Sequence, residues 1–371
     1  MGRPLLRAGR PEQDPGDIVS EQTEVPPFCV VPGSTVHEVL DGRQTEITDL
    51  VEAAYRLHGE GHTINPPSYF LRFPDRPTAR IIALPASVGG GRPVDGIKWI
   101  SSFPSNLDHG IPRASAVLIL NDPATGYPYA CLESSIISAV RTAASAAVAA
   151  RALGENRPAP GRVGYLGTGL IARHVHSYLA ALGRAPREYA VHDLSTEYAH
   201  GFADHLRTTG DGSPVHVLDS AEELVRSSDV VVCATTASTP HLLDPSWFAH
   251  HPLVLHVSLR DLGTDVILDS FNVVDDVEHV LKADTSVHLA EQRTGGRDFL
   301  DGTLYDVLTG ALKAPADRTV VFSPFGLGVL DLTVGEHVHA RAQEGGLLRP
   351  VDGFFHDLDR HSAPRSKGGR R

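Results

Sequence analysis

A run of apolar residues at 163–166 stops at Gly167-Thr168-Gly169-Leu170-Ile171-Ala172, and helical spacing takes over from about 170 to 182. Few sequence features constrain a fold more tightly. A GxGxxA turn between a strand and a helix is the phosphate-cradling unit of dinucleotide-binding folds. Gly167 permits the tight turn, Gly169 lets the backbone approach a pyrophosphate, and Ala172 lets the helix pack close on the strand. The helix N-terminus adds free N–H groups and partial positive charge, which places Thr168, Leu170 and Ile171 on the cofactor side. A glycine pair alone says little in a chain with 35 glycines. Two further features add weight. Strand-like and helical segments alternate: strands at 188–192, 215–218, 230–234, 253–257 and 319–323, helices to about 207 and near 221–226. Such alternation predicts an α/β fold, a Rossmann-type doubly wound parallel sheet. Asp193 ends the second strand 26 positions after Gly167, near the spacing of about 20 at which an acid meets the ribose. A carboxylate there accepts both ribose hydroxyls and repels a 2′-phosphate, which favours NAD over NADP. Ala234-Thr235-Thr236 ends another strand at the same sheet edge. It could line the cofactor or cap a helix; the sequence leaves both open.

Before Gly161 the pattern differs. Ile47, Leu50, Val51, Ala54 and Leu57 mark one helix. Runs at 79–84, 96–101, 114–120 and 127–132 predict strands. Their short connections predict antiparallel pairing. An Ala-rich helix at 134–153 closes the section, and the punctuation from Gly154 to Pro160 marks a boundary. After the last strand, Phe325-Gly326-Leu327-Gly328 leads into a helix through Val334 to Gln343. If that helix returns to the first section, that section is discontinuous. The expected organisation is a Rossmann domain at 154–328 and an α+β domain at 27–153 with 329–358. Residues 1–26 and 359–371 read as a disordered leader and tail.

The net charge of −12 argues against nucleic acid or a membrane surface as the main partner. Three cysteines, Cys29, Cys131 and Cys233, form no CxxC pair and fit a reducing compartment. Cys233 reads as packed core. Twenty histidines include no HExxH, and His337 and His339 at i,i+2 do not share a helix face, so no metal is expected. No apolar run reaches the ~20 residues of a membrane span. The expected location is the cytoplasm.

Three cations sit singly among apolar or turn residues: Arg72 within 66–74, Lys98 within Gly96-Ile97-Lys98-Trp99-Ile100, and Arg141 before Thr142-Ala143. Each reads equally as a surface charge or half of a salt bridge; if buried, it needs a partner. Taken together and in order, Gly96-Ile97-Lys98-Trp99, Asp122-Pro123-Ala124-Thr125-Gly126-Tyr127-Pro128, Arg141-Thr142-Ala143-Ala144-Ser145 and Gly167-Thr168-Gly169 resemble the ornithine cyclodeaminase/mu-crystallin family, from about Pro26 to Arg341. Segments 65–74, 80–86 and 258–262 are similar to the branch that makes 2,3-diaminopropionate for siderophores and peptide antibiotics.

The resemblance implies an enzyme in which the α+β domain binds substrate and builds a homodimer, with the active site in the cleft. Arg72, Lys98 and Arg141 then take the places of substrate-carboxylate contacts, and Asp261 that of a catalytic aspartate. Ser258 joins Thr235 and Thr236 as a cofactor-side residue. The implied reaction is NAD-dependent oxidative hydrolysis of an aminocarboxyethyl-glutamate conjugate to 2,3-diaminopropionate and 2-oxoglutarate. Asp261 would accept a proton and guide water, and Lys98 would hold a carboxylate and polarise the developing hydroxyl. Ala83 and Asp261-Leu262-Gly263-Thr264-Asp265 depart from the cyclodeaminase pattern and weaken ornithine as substrate. The alternatives are an ornithine cyclodeaminase, another imine reductase or amino-acid dehydrogenase, and a non-catalytic dinucleotide- or small-molecule-binding protein of the mu-crystallin type.

Overall fold

The computed structural model describes residues 25–183, 185–210 and 212–356. The leader and tail expected at the two ends fall outside these residues, except at Val25 and Pro26. Two eight-stranded sheets organise the chain. The second sheet runs Val215–Val217, Glu188–His192, Arg162–Leu166, Val230–Cys233, Leu253–His256, Val320–Ser323, Phe271–Val274, Leu300–Thr303. Every pairing in it is parallel. The order reverses direction between Arg162–Leu166 and Val230–Cys233, the kind of switch point where open α/β sheets bind ligands. The alternating pattern predicts the parallel sheet and six of its eight strands. It misses Phe271–Val274 and Leu300–Thr303, short strands that complete the sheet edge.

The first sheet contains Cys29–Val31, Thr63–Ile64, Tyr69–Phe73, Arg76–Val88, Val94–Ser102, Ala114–Asn121, Pro128–Glu133 and Arg349–Pro350. Its centre is antiparallel, as the short connections predict. One pairing differs. Cys29–Val31 lies parallel to Pro128–Glu133, because an intervening helical and stranded excursion brings the chain back in the same direction.

Alternation along these strands divides the sheet into two faces. Leu84, Lys98, Leu118 and Leu132 face one another across four strands and are buried. The helices Ser135–Leu153 and Gly328–Glu344 cover this face. The second of these follows the last strand of the parallel sheet, so the chain does return to the first sheet. On the opposite face, Tyr69 (79%), Leu71, Trp99 (42%) and Val117 remain exposed. Ser135–Leu153 is long and apolar enough to cross a membrane by length and composition. Its apolarity is explained by packing: it lies between the helices Gln44–Gly59, Leu170–Ala180 and Gly328–Glu344.

Polar ties join the two halves. His58 Nε2 lies 3.1 Å from Asp276 Oδ2 and the Asn65 side-chain nitrogen 2.8 Å from His279 Nε2, while Asn65 Oδ1 accepts from Val329 N of the returning helix at 3.3 Å. Within the first half, the hydroxyls of Tyr55 and Ser145 meet at 2.5 Å between two packed helices, and both residues are buried. Removing one partner leaves the other desolvated and unpaired, whereas removing both leaves neither. Tyr55→Phe is expected to destabilise the protein by about 1–2 kcal/mol. The double variant Tyr55→Phe/Ser145→Ala should recover part of this loss in a denaturant-unfolding double-mutant cycle.

Candidate active site

The turn after Arg162–Leu166 takes the shape its glycines predict. Gly167 has φ +83°, and a Cβ there would lie 2.7 Å from the Ala234 carbonyl oxygen on the neighbouring strand's end. Thr168 donates to Asp193 Oδ2 through its backbone nitrogen (3.0 Å) and hydroxyl (2.9 Å), while Ser195 N donates to Oδ1 (2.9 Å). Asp193 therefore welds the second strand to the turn. The helix Leu170–Ala180 begins at Gly169 with no side-chain cap, so its first N–H groups stay available. A Cβ on Gly169 would meet nothing within 4 Å. Leu170 is exposed beside this gap, Ile171 is half-buried, and Leu194, after Asp193, is fully exposed. An open cradle, free helix amides, a carboxylate and apolar rims fit a dinucleotide.

Thr235 and Ser258, at neighbouring strand ends, are both held by Asp261. The Thr235 hydroxyl accepts from Ala237 N (3.0 Å) and is hydrogen-bonded to Asp261 Oδ1, so it caps a turn rather than a helix. Thr236 is exposed. The Ser258 hydroxyl sits between the Cys233 carbonyl (2.8 Å) and Asp261 Oδ2. His241 Nε2 approaches Asp261 Oδ1 at 3.1 Å, and His256 Nε2 lies 3.3 Å from Oδ2. Asp261 is fully buried. Burial alone would raise its pKa, but these hydrogen bonds and the histidines hold it well below the usual carboxylate range. The carboxylate ties together two loops at the strand ends. Leu259 lies two residues before it at φ +78°, a strained conformation for a branched side chain that marks this loop as over-determined. Cys233 is buried in the core, and burial pushes its thiol up.

The cations divide into two places. Lys98, fully buried, donates to Asp331 Oδ2 at 2.5 Å, and Arg141 Nε donates to Asp331 Oδ1 at 3.3 Å. Asp331 stands in the first turn of Gly328–Glu344 and is itself fully buried. Burial pushes the Lys98 ammonium down to about 8, with Arg141 adding to this and Asp331 opposing it. The turn before that helix is also shaped by an acid. Asp275 accepts from Phe325 N (2.9 Å) and Gly326 N (2.7 Å). Gly326 has φ +94°, which favours glycine, and a Cβ there would lie 2.5 Å from Arg141 Nη1 and push the guanidinium aside. Arg72 lies elsewhere, exposed on Tyr69–Phe73 with its guanidinium 5.1 Å from the Phe70 ring. Among the described residues, no hydrogen bond or ion pair joins Asp261 to Lys98, Arg141 or Arg72.

Asp331 and Asp275 escape a reading of motifs. The available signal for Asp331 is an acid set among Val329, Leu330 and Leu332, the same isolation that singles out Lys98.

A doubly wound sheet with a nucleotide-shaped turn, joined to a second sheet carrying a buried lysine–aspartate–arginine cluster, defines a two-sheet dinucleotide-binding class of protein. Residues 34–346 match the ornithine cyclodeaminase/mu-crystallin family, and the chain belongs to it. It is similar to N-((2S)-2-amino-2-carboxyethyl)-L-glutamate dehydrogenase of Staphylococcus aureus, 27% identical over 317 residues, covering 83% of this chain and 93% of that protein. The crystal structure of CmnK is 33% identical with a TM-score of 0.80, covering 89% of this chain and 99% of that one. The fold is shared with Thermococcus litoralis Delta(1)-pyrroline-2-carboxylate reductase in complex with NADH and L-proline, with a TM-score of 0.80, 24% identity and coverage of 87% and 100%.

Breaking a buried ion cluster by removing one charge costs about 3–5 kcal/mol. Asp331→Asn should therefore lower stability by about 3 kcal/mol at pH 7. Because the folded pKa of Lys98 is already depressed to about 8, and losing Asp331 depresses it further, the lysine charge opposes folding at low pH. That penalty fades as pH rises from about 8 towards the unfolded value. Urea unfolding at pH 7 and at pH 9.5 should give a smaller difference between Asp331→Asn and the parent at the higher pH.

Proposed function

We propose that the protein is an NAD-dependent oxidoreductase acting on the carbon–nitrogen bond of an amino-acid conjugate, N-((2S)-2-amino-2-carboxyethyl)-L-glutamate. Oxidation and hydrolysis convert the conjugate, NAD⁺ and water into 2,3-diaminopropionate, 2-oxoglutarate, NADH and a proton. The product would supply a siderophore or peptide-antibiotic pathway. The observation that carries this reading is the buried Lys98–Asp331–Arg141 cluster. It joins a lysine that can exchange protons near neutral pH to a guanidinium that can fork onto a carboxylate.

Gly167, Thr168, Gly169, Leu170, Ile171 and Asp193 would hold the dinucleotide, with Thr235, Thr236 and Ser258 at the neighbouring strand ends. NAD bound there supplies the hydride acceptor. Arg141 orients a substrate carboxylate, and Lys98 supports it. Once the carbon–nitrogen bond is oxidised to an imine, water must add to its carbon. The free amine of Lys98 takes the proton from that water, and Asp331 stabilises the ammonium that results. Asp261 acts by position: it fixes Thr235 and Ser258 rather than carrying protons. The Staphylococcus relative supports the choice of conjugate, and the unmatched cations described below favour a substrate with several carboxylates.

The exposed apolar face of the first sheet supports assembly as a homodimer. Tyr69, Trp99 and Val117 lie on one row of this face. Trp99→Glu/Val117→Glu should convert the protein from dimer to monomer in sedimentation velocity; an unchanged sedimentation coefficient would reject this face.

The reaction is tested with purified protein, NAD and the conjugate. NADH and 2-oxoglutarate should accumulate one to one. kcat/KM should rise with pH through about 8 as Lys98 gives up its proton, and Lys98→Met should lower it by about 10²-fold or more. Proline and ammonia from ornithine, without net NADH, would replace this reading with cyclodeamination.

A further inference from the structure

Four arginines gather at the end of the first sheet, and only Arg72 has a role assigned by the resemblance. Arg72 and Arg80 are direct partners on the strands Tyr69–Phe73 and Arg76–Val88. Arg80 is in turn the partner of Ser102 on Val94–Ser102. The Ser102 hydroxyl accepts from Arg113 Nη1 at 2.7 Å. Arg72, Arg80 and Ser102 thus form one row on one face of three strands. The fourth arginine comes from the other sheet. Arg260 lies in the loop after Leu253–His256, between strained Leu259 and fixed Asp261, and its Nη2 donates to the Ala283 carbonyl at 2.5 Å. Ser286 N donates to the Leu259 carbonyl at 2.8 Å and holds this loop from the other side.

Electrostatics ties the four together. Arg80, Arg113 and Arg260 are half-buried. The pKa of Arg80 is lowered by burial and then by Arg260, Arg113 and Arg72. Arg260 is likewise lowered by burial and by Arg72, with Asp284 and Asp261 opposing. Among the described residues, none of the four makes an ion pair with a carboxylate. This is unusual in a chain of net charge −12. Like charges held together and partly dried repel one another, and an anion that binds among them relieves that repulsion.

Position says which anion. Lys98 and Ser102 point to the same face of one strand, four residues apart, or about 13 Å along the sheet. We infer that Arg80 and Arg260, one from each sheet, form with Arg72 a second carboxylate-binding subsite that selects substrates carrying an acid at the end remote from Lys98 and Arg141. Arg113 supports the row through Ser102. The occupant is the distal carboxylate of an amino dicarboxylate or its conjugate. Arginine suits this role because its planar fork pairs with both carboxylate oxygens. A ligand held by Arg80 on one side and Arg260 on the other also bridges the two sheets.

This inference rests on the proposed oxidation of an amino-acid conjugate, and binding measurements separate the two. The probes are 2-oxoglutarate, with a distal carboxylate, and pyruvate, without one, titrated calorimetrically into the full-length protein with NADH present. The parent should bind 2-oxoglutarate at least about tenfold tighter than pyruvate, the effect of one charge-assisted pair. Arg80→Gln and Arg260→Gln should each reduce that ratio to about threefold or less, and Arg260→Lys should restore part of it. Pyruvate affinity should move less than the ratio. A parent ratio under threefold, or an undiminished ratio in both variants, overturns the subsite; equal loss of both acids also overturns it. Should either variant fail to fold, the parent ratio and its decline between 50 mM and 500 mM salt decide the matter. A normal arginine-dependent ratio with no turnover of the conjugate would sink only the proposed reaction.

Discussion

The Asp331 carboxylate is the contact on which the site depends. It stands at the start of a helix that leaves one sheet and covers the other, and it receives Lys98 from a strand and Arg141 from a second helix. A buried ammonium and guanidinium without a counter-charge would cost far more than any packing gained nearby. The aspartate therefore makes the docking of that helix and the burial of both cations a single event. It also explains how a lysine survives in an apolar row of the sheet.

A second acid performs a similar task nearer the cofactor turn. Asp261 holds Thr235 and Ser258 from two adjacent strand ends and is flanked by His241 and His256. What it provides is order in a loop where Leu259 adopts a left-handed backbone and Arg260 is carried into the arginine group. Strain kept in place by neighbours is a common property of functional loops. The two sheets thus contribute separate things: one a nucleotide cradle with a rigid rim, the other rows of cations at two heights.

Much of the parallel half is legible in the chain because its signals are local. A strand, two glycines and a helix must be contiguous to make the turn, and Asp193 follows at a characteristic distance. The first sheet is less legible. Tyr69–Phe73, the edge strand that carries Arg72, lies in a proline-bounded segment with no clean alternation, and Cys29–Val31 pairs parallel to a strand a hundred residues away. Periodicity reports a strand's faces; it does not report its partner.

The sequence by itself determined the class of the second sheet, the cradle at Gly167–Ala172 and the isolation of Lys98 and Arg141 among apolar residues, since each follows from contiguous spacing; the return of the last helix it left open. Only the tertiary structure decided which acid meets those cations. In a linear reading neither Asp261, between Arg260 and Leu262, nor Asp331, between Leu330 and Leu332, names its partner. The three-dimensional path gives the first to hydroxyls and histidines within 26 residues of it and the second to an arginine 190 and a lysine 233 residues away, because the partner of a buried charge is chosen by chain topology.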